Sequence, residues 1–96
     1  MTIYNAPTRD MDFLLHDVLQ VSGADLPGYA ELDRDFTSAI LEAAGQLATD
    51  MLAPLNLPGD QQGCKRADDG SVSVPDGFKE AYDAYCEGGW IGLAVP

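Results

Sequence analysis

The side chains with chemistry to offer are few and scattered. His16 is the only imidazole in the 96 residues, and its place on the flank of an amphipathic segment suits a surface or core-edge residue better than a general base. Cys64 and Cys86 are the two thiols; they are far apart, form no CxxC and have no histidine nearby, so they do not make a zinc site and are expected to be reduced. Asp68-Asp69-Gly70 resembles the opening of a calcium loop but lacks the alternating carboxylates and closing glutamate that calcium requires, which leaves a turn. Ser38 lies inside a helical stretch and is not part of the Asp-Ser-Leu that phosphopantetheine carriers modify. No glycine-rich phosphate loop, HExxH or GxSxG occurs. The residues therefore point to no catalytic, cofactor-binding or metal site.

Charge narrows the partners. Five basic and sixteen acidic residues give a net charge of −11, spread along the chain as a solvated surface would be. That sign opposes nucleic acid and anionic membranes, because the phosphate attraction that dominates such binding is absent. No window approaches the roughly 18 apolar residues of a membrane span, and the N-terminus has no basic start followed by an apolar core, so a cytoplasmic protein is expected. A chain of this size buries roughly 60 to 65 per cent of its unfolded surface, so its core must be thin.

Helical periodicity supplies the scaffold. In Asp33 to Leu52 the residues Phe36, Ile40, Ala43, Ala44, Leu47 and Met51 fall on one stripe, widened by Leu41, Ala48 and Leu52, opposite a polar face. Asp33 is placed to cap this helix, Asp35 favours its dipole, and Pro54 is expected to stop it. An earlier helix is expected from a Thr8 cap to about Gln20, with Met11, Leu14, Leu15, Val18 and Leu19 sharing a face and Phe13 and His16 off it. Ser22 to Leu32 reads as a linker with a helical turn near Tyr29. From Pro54 the chain turns repeatedly, and Asp69-Gly70 joins two short strands, Cys64 to Ala67 and Ser71 to Val74. A third helix is expected from an Asp76 cap, with Phe78, Ala81, Tyr82, Tyr85 and Cys86 in its stripe, a Lys79–Asp83 pair on its wet face and Gly88-Gly89 as its stop. The apolar run Trp90 to Val95 has no following element to cover it, so the polypeptide is expected to continue in its complete form.

Order and spacing then add a resemblance. Leu52-Ala53-Pro54-Leu55-Asn56 after a long helix, Gly59-Asp60, Gly63, Gly70, Val74-Pro75, Gly77-Phe78, Ala81-Tyr82, Gly89-Trp90, Gly92-Leu93 and Pro96 together resemble the N-terminal helical domain of acyl-CoA dehydrogenases. Upstream, Tyr4, Ala6-Pro7, Asp10, Phe13-Leu14-Leu15 and Asp17-Val18-Leu19 are similar to the short extension of a longer branch of that family, which includes enzymes acting on 3-methylmercaptopropionyl-CoA.

The resemblance implies a mainly α fold of about three helices with a short β-hairpin, divided into an extension with linker, 1–32, and an incomplete helical domain, 33–96. It implies a parent flavoprotein oxidoreductase of fatty acid metabolism that oxidises the Cα–Cβ bond of an acyl-CoA thioester. In the family, FAD and the catalytic glutamate are held by later domains, so Glu42, Glu80 and Glu87 receive no catalytic role and no FAD is expected in these residues. A homo-oligomer is expected, with acyl-CoA as the partner of the complete enzyme. The other reading is a free-standing acidic helical module, derived from such a domain, that binds a protein partner.

Overall fold

The structure, a computed structural model, describes residues 3–95. Pro96, part of the resemblance, lies outside the described residues. The chain divides into two compact units on either side of the Thr49–Asp50 bond. It is mainly helical and carries one two-stranded antiparallel hairpin, as expected. The core is thin: among the described residues, Thr37, Gly59, Pro75 and Ala81 are buried.

In the first unit, α1 (Thr8–Asp12) continues into a π-helical turn, Phe13–Val18. Thr8 is not the cap. It is the first helical residue, preceded by Pro7, whose φ of −79° already suits a helix and whose carbonyl accepts from the Met11 N–H at 3.1 Å. The π turn ends with the Leu19 N–H on the Leu14 carbonyl at 2.9 Å, and Gln20 at φ 51° stops the helix. The linker holds two 3-10 turns, Val21–Gly23 and Tyr29–Glu31, the second at the expected place. Then comes α2 (Arg34–Leu47), capped as expected by Asp33, whose Oδ1 accepts from the Phe36 N–H at 2.8 Å.

The expected stripe of the second helix is half-buried at Ile40, Leu41, Ala44, Leu47, Ala48 and Met51, but Phe36 at its head is 51% exposed and Ala43 is exposed as well. The first helix departs further from its periodicity. Along the first helix Met11, Leu14, Val18 and Leu19 are exposed, while Asp12, Leu15 and His16 are half-buried. Polar groups meet at the contact of α1 with α2: Arg34 reaches Asp12 at 3.4 Å and Asp17 at 3.0 Å, and His16 Nε2 lies 2.7 Å from Thr37 Oγ1. Gly45 completes the seat, since a Cβ there would come within 2.9 Å of the Ala6 side chain.

Thr37 explains how a polar residue comes to be buried at this contact. Its hydroxyl lies 3.2 Å from both the Asp33 and the Arg34 carbonyls and 2.7 Å from His16 Nε2, so the one hydroxyl has partners in the first turn of α2 and on the first helix. Replacing Thr37 by the isosteric valine leaves His16 without that partner and is expected to cost about 1 kcal/mol in a urea melt. An unchanged melt would mean that the bond contributes nothing net.

In the second unit, a π-helical turn, Ala48–Leu52, which spans the unit boundary, leads into α3 (Ala53–Gln62). The expectation that Pro54 ends the helix and opens a turn-rich run is corrected here. Pro54 falls at the start of α3 directly after the π turn, whose wider spacing accommodates a ring that has no N–H to donate. Pro58 lies inside α3 and removes one helical bond. The strands β1 (Lys65–Arg66) and β2 (Val72–Ser73) pair as Lys65 with Ser73 and Arg66 with Val72, shorter than expected but in the expected hairpin. Asp69 makes the turn, its Oδ1 accepting from the Ser71 N–H at 2.9 Å and from the Ser71 hydroxyl at 2.7 Å.

These bonds, the hydroxyl first, hold the Asp69 carboxyl below its ordinary value of 3.8. A carboxylate shifted down stabilises the fold above its unfolded pKa, and the contribution is lost as pH falls through the lower, folded value. The Ser71 amide resonance is therefore expected to hold steady from neutral pH down to about pH 4 and to move only below it.

The last helix, α4 (Phe78–Glu87), starts after Gly77 and not after an Asp76 cap. Pro75-Asp76-Gly77 forms a tight turn with Gly77 at φ 84°, and the Asp76 N–H donates to Gln62 Oε1 at 3.0 Å, so the Asp76 side chain caps nothing. Lys79 and Asp83 pair at 2.8 Å on the exposed face, and the carboxylate there raises the Lys79 pKa through its hydrogen bond. Gly88 and Gly89 end α4, and a 3-10 turn, Trp90–Gly92, follows. Trp90 is half-buried, whereas Ile91, Leu93 and Val95 are exposed.

Candidate functional site

Each unit holds one concavity of note. In the first, Thr8, Arg9, Asp12, Ser38, Leu41 and Glu42 line a polar cleft of about 220 Å³ between α1 and α2. Its electrostatics are self-contained. Asp12 already faces Arg34, and the two carboxylates, Asp12 and Glu42, outnumber the one guanidinium, Arg9. One oxygen of Asp12, Oδ1, is buried without a hydrogen-bond partner.

The second concavity is an apolar groove of about 310 Å³ between α3 and α4. Leu52, Leu55 and Asn56 form one wall, and Phe78, Tyr82 and Tyr85 the other, with Ala81 at its base. The walls stand where they do because glycines let the two helices close up. A Cβ on Gly59 would lie 2.6 Å from the Phe78 ring, and one on Gly77 would lie 2.8 Å from the Leu55 side chain. Tyr82 is 59% exposed and stands at the lip. The Cys86 thiol beside it, through a hydrogen bond and then through charge, raises the Tyr82 phenol above its ordinary value of 10.0, so it stays protonated at neutral pH. Such a groove can bind an apolar surface and hydrogen-bond to it; it presents no nucleophile and no acid–base pair.

The residues first considered for chemistry are dispersed. His16 is used in the contact with Thr37, in keeping with a core-edge role. Cys64 is exposed, Cys86 is half-buried, and both are free thiols. Glu42 lines the polar cleft, whereas Glu80 and Glu87 are exposed on α4, and none is paired with a base. Among the described residues there is no cluster of three or more His, Cys, Asp or Glu that could hold a metal, and no helix long and apolar enough to cross a membrane. Sequence reasoning missed one wall of the groove, because Pro54 made Leu55 and Asn56 look like turn residues and cut them off from Leu52, which was read as the end of the preceding helix. The signal was present in their i, i+3, i+4 spacing, which continues to the buried Gly59.

No protein-family model matches the chain. A 3-methylmercaptopropionyl-CoA dehydrogenase from Ruegeria pomeroyi is 37% identical to it over 94 residues, which is 97% of this chain and 16% of the relative. The chain thus spans about one sixth of the curated relative it matches. Nearly the whole chain is similar to one part of an acyl-CoA dehydrogenase, and the likeness is consistent with the N-terminal region of such an enzyme.

Proposed function

We propose that the chain is the N-terminal region of an FAD-dependent acyl-CoA dehydrogenase. It carries an extension, 1–32, ahead of the first part of the helical domain, 33–96, and its role is structural. The parent enzyme oxidises the Cα–Cβ bond of an acyl-CoA thioester, with 3-methylmercaptopropionyl-CoA as the candidate substrate. It works in the cytoplasm, in fatty acid metabolism, as a homo-oligomer. The observation that carries this reading is the 37% identity sustained over 97% of the chain.

The geometry supports a part that packs and does not catalyse. FAD carries a diphosphate, which needs cations or converging backbone N–H groups. The apolar groove has no charged wall, and the polar cleft sets one arginine among two carboxylates. These residues do not fit the flavin, which is assigned to the remainder of the parent.

A graft tests the reading. Put in place of the matching stretch of the Ruegeria pomeroyi enzyme, this chain is expected to give a folded protein that keeps bound flavin and oxidises an acyl-CoA. A graft that purifies folded but without flavin or activity would overturn the proposal. The chain alone is expected to show no visible flavin absorbance after purification; a stoichiometric yellow chromophore would contradict the structural role.

A further inference from the structure

The chain contains two Asp-Gly pairs, Asp69-Gly70 and Asp76-Gly77, and both lie in the second unit. Such a pair is prone to succinimide formation, in which the glycine nitrogen attacks the aspartyl side chain, because a glycine without a Cβ leaves that nitrogen unshielded. The reaction is fastest where the fold leaves the backbone N–H without an acceptor and the carboxyl without donors on its oxygens. The two pairs differ in both respects.

At Asp69-Gly70 both groups are engaged. The Gly70 N–H donates to the Ala67 carbonyl at 3.0 Å, and Asp69 Oδ1 accepts from the Ser71 N–H at 2.9 Å and from its hydroxyl at 2.7 Å. The same two bonds keep the Asp69 carboxyl ionised to lower pH than usual, and a carboxylate is a poorer electrophile than the acid. At Asp76-Gly77 neither group is engaged. Among the described residues the Gly77 N–H has no hydrogen-bond partner, and no donor reaches the carboxyl of the exposed Asp76.

We propose that Asp76 is a site of spontaneous covalent modification, isomerising to isoaspartate through a succinimide formed with Gly77. The Gly77 nitrogen gives up its proton and bonds to Asp76 Cγ, and a carboxyl oxygen departs as water, which closes the imide ring. Water then adds to either imide carbonyl. Addition at Cγ restores aspartate; addition at the main-chain carbon breaks its bond to the Gly77 nitrogen, so the chain continues through Cβ and Cγ and the former main-chain carbonyl becomes a carboxylate. The added backbone carbon falls where the turn has no slack. It follows the buried Pro75, and on its far side a Cβ on Gly77 would already lie 2.8 Å from the Leu55 side chain. Lengthening the turn breaks the 3.3 Å bond from the Phe78 N–H to the Pro75 carbonyl or drives Gly77 onto Leu55, so the modification loosens the start of α4 and the Phe78 wall of the groove. This chemistry involves neither flavin nor acyl-CoA and is independent of the function proposed above.

Ageing the chain for weeks at neutral pH, with and without urea, is the test, followed by proteolytic mapping with isoaspartate read by an isoaspartyl O-methyltransferase and tritiated S-adenosylmethionine. In buffer, isoaspartate is expected to accumulate several-fold faster at Asp76 than at Asp69; in urea, where neither turn survives, the two should react at similar rates. Asp76→Asn, whose amide loses ammonia more readily than a carboxyl loses water, should raise the yield at that position, and Asp76→Glu, whose longer side chain closes a ring slowly, should abolish it. Because the Asp76 side chain is exposed and caps nothing, circular dichroism should report an intact fold in both variants. Asp69 reacting as fast as Asp76 in buffer would overturn the proposal, as would an equal preference for Asp76 with and without urea, or no isoaspartate at Asp76 in buffer.

Discussion

Gly59→Ala is expected to destabilise the second unit by about 1 to 2 kcal/mol, although alanine is the better helix former. The two effects have opposite signs. Exchanging glycine for alanine inside a helix gains up to about 1 kcal/mol of propensity. Against this, the new methyl group would stand 2.6 Å from Cζ and 2.7 Å from Cε1 of Phe78, closer than carbon atoms pack. Either α3 and α4 move apart or the ring swings out of its seat, and overpacking of this kind costs about 1 to 3 kcal/mol. The clash wins by a margin that thermal or urea melts can resolve. Paired with Phe78→Ala, the same substitution should become neutral or stabilising, because the ring it collides with is gone. If the single variant is more stable than the wild type, the ring does not lie on Gly59 and the groove is not built as described.

That contact also shows what the resemblance consists of physically. Gly59 and Phe78 touch, Leu55 lies on Gly77, Ala6 lies on Gly45, and Pro75 and Ala81 are buried. Gly63, Gly70, Gly77 and Gly89 all take positive φ. All of these except Gly45 are among the residues through which the sequence resembles the acyl-CoA dehydrogenases. They mark places where a close approach or a left-handed backbone leaves little choice of residue, and a pattern of such places can identify a fold without any catalytic motif.

Legibility followed locality. The Asp33 cap, the Asp69-Gly70 turn, the Lys79–Asp83 pair and the Gly88-Gly89 stop each depend on residues within a few positions, and each lies where the sequence put it. The buried face of the first helix was not legible, whereas most of the α2 stripe was, with Ile40, Leu41, Ala44, Leu47 and Ala48 half-buried. The first helix turns Asp12, Leu15 and His16 inward, and His16 meets Thr37, 21 residues away. Helix α3 was hidden for another reason. Pro54, Pro58 and Gly59 are all breakers by local rules, yet Pro54 occupies a first turn and Gly59 a close contact. With α3 read as loop, the groove was invisible, because half of its wall had no assigned place.

The larger effect is expected at Gly77, just ahead of α4. Its φ of 84° lies in the left-handed region, where a residue with a Cβ loses about 1 to 2 kcal/mol. A Cβ there would also lie 2.8 Å from Cδ2 of Leu55, adding an overpacking cost of about 1 kcal/mol or more. Gly77→Ala is therefore expected to destabilise the second unit by about 2 to 4 kcal/mol in total, because the two costs have separate origins. Their separation is itself testable. Leu55→Ala placed on the Gly77→Ala background removes the clash but not the backbone strain, so the penalty for adding the alanine should fall by about half. Gly70 offers the control: its φ is 88°, with nothing within 4 Å of a Cβ, so Gly70→Ala should cost only the backbone share, about 1 to 2 kcal/mol. Equal losses at Gly70 and Gly77 would mean that Leu55 does not press on the turn, and the wall of the groove that Leu55 forms would have to be redrawn.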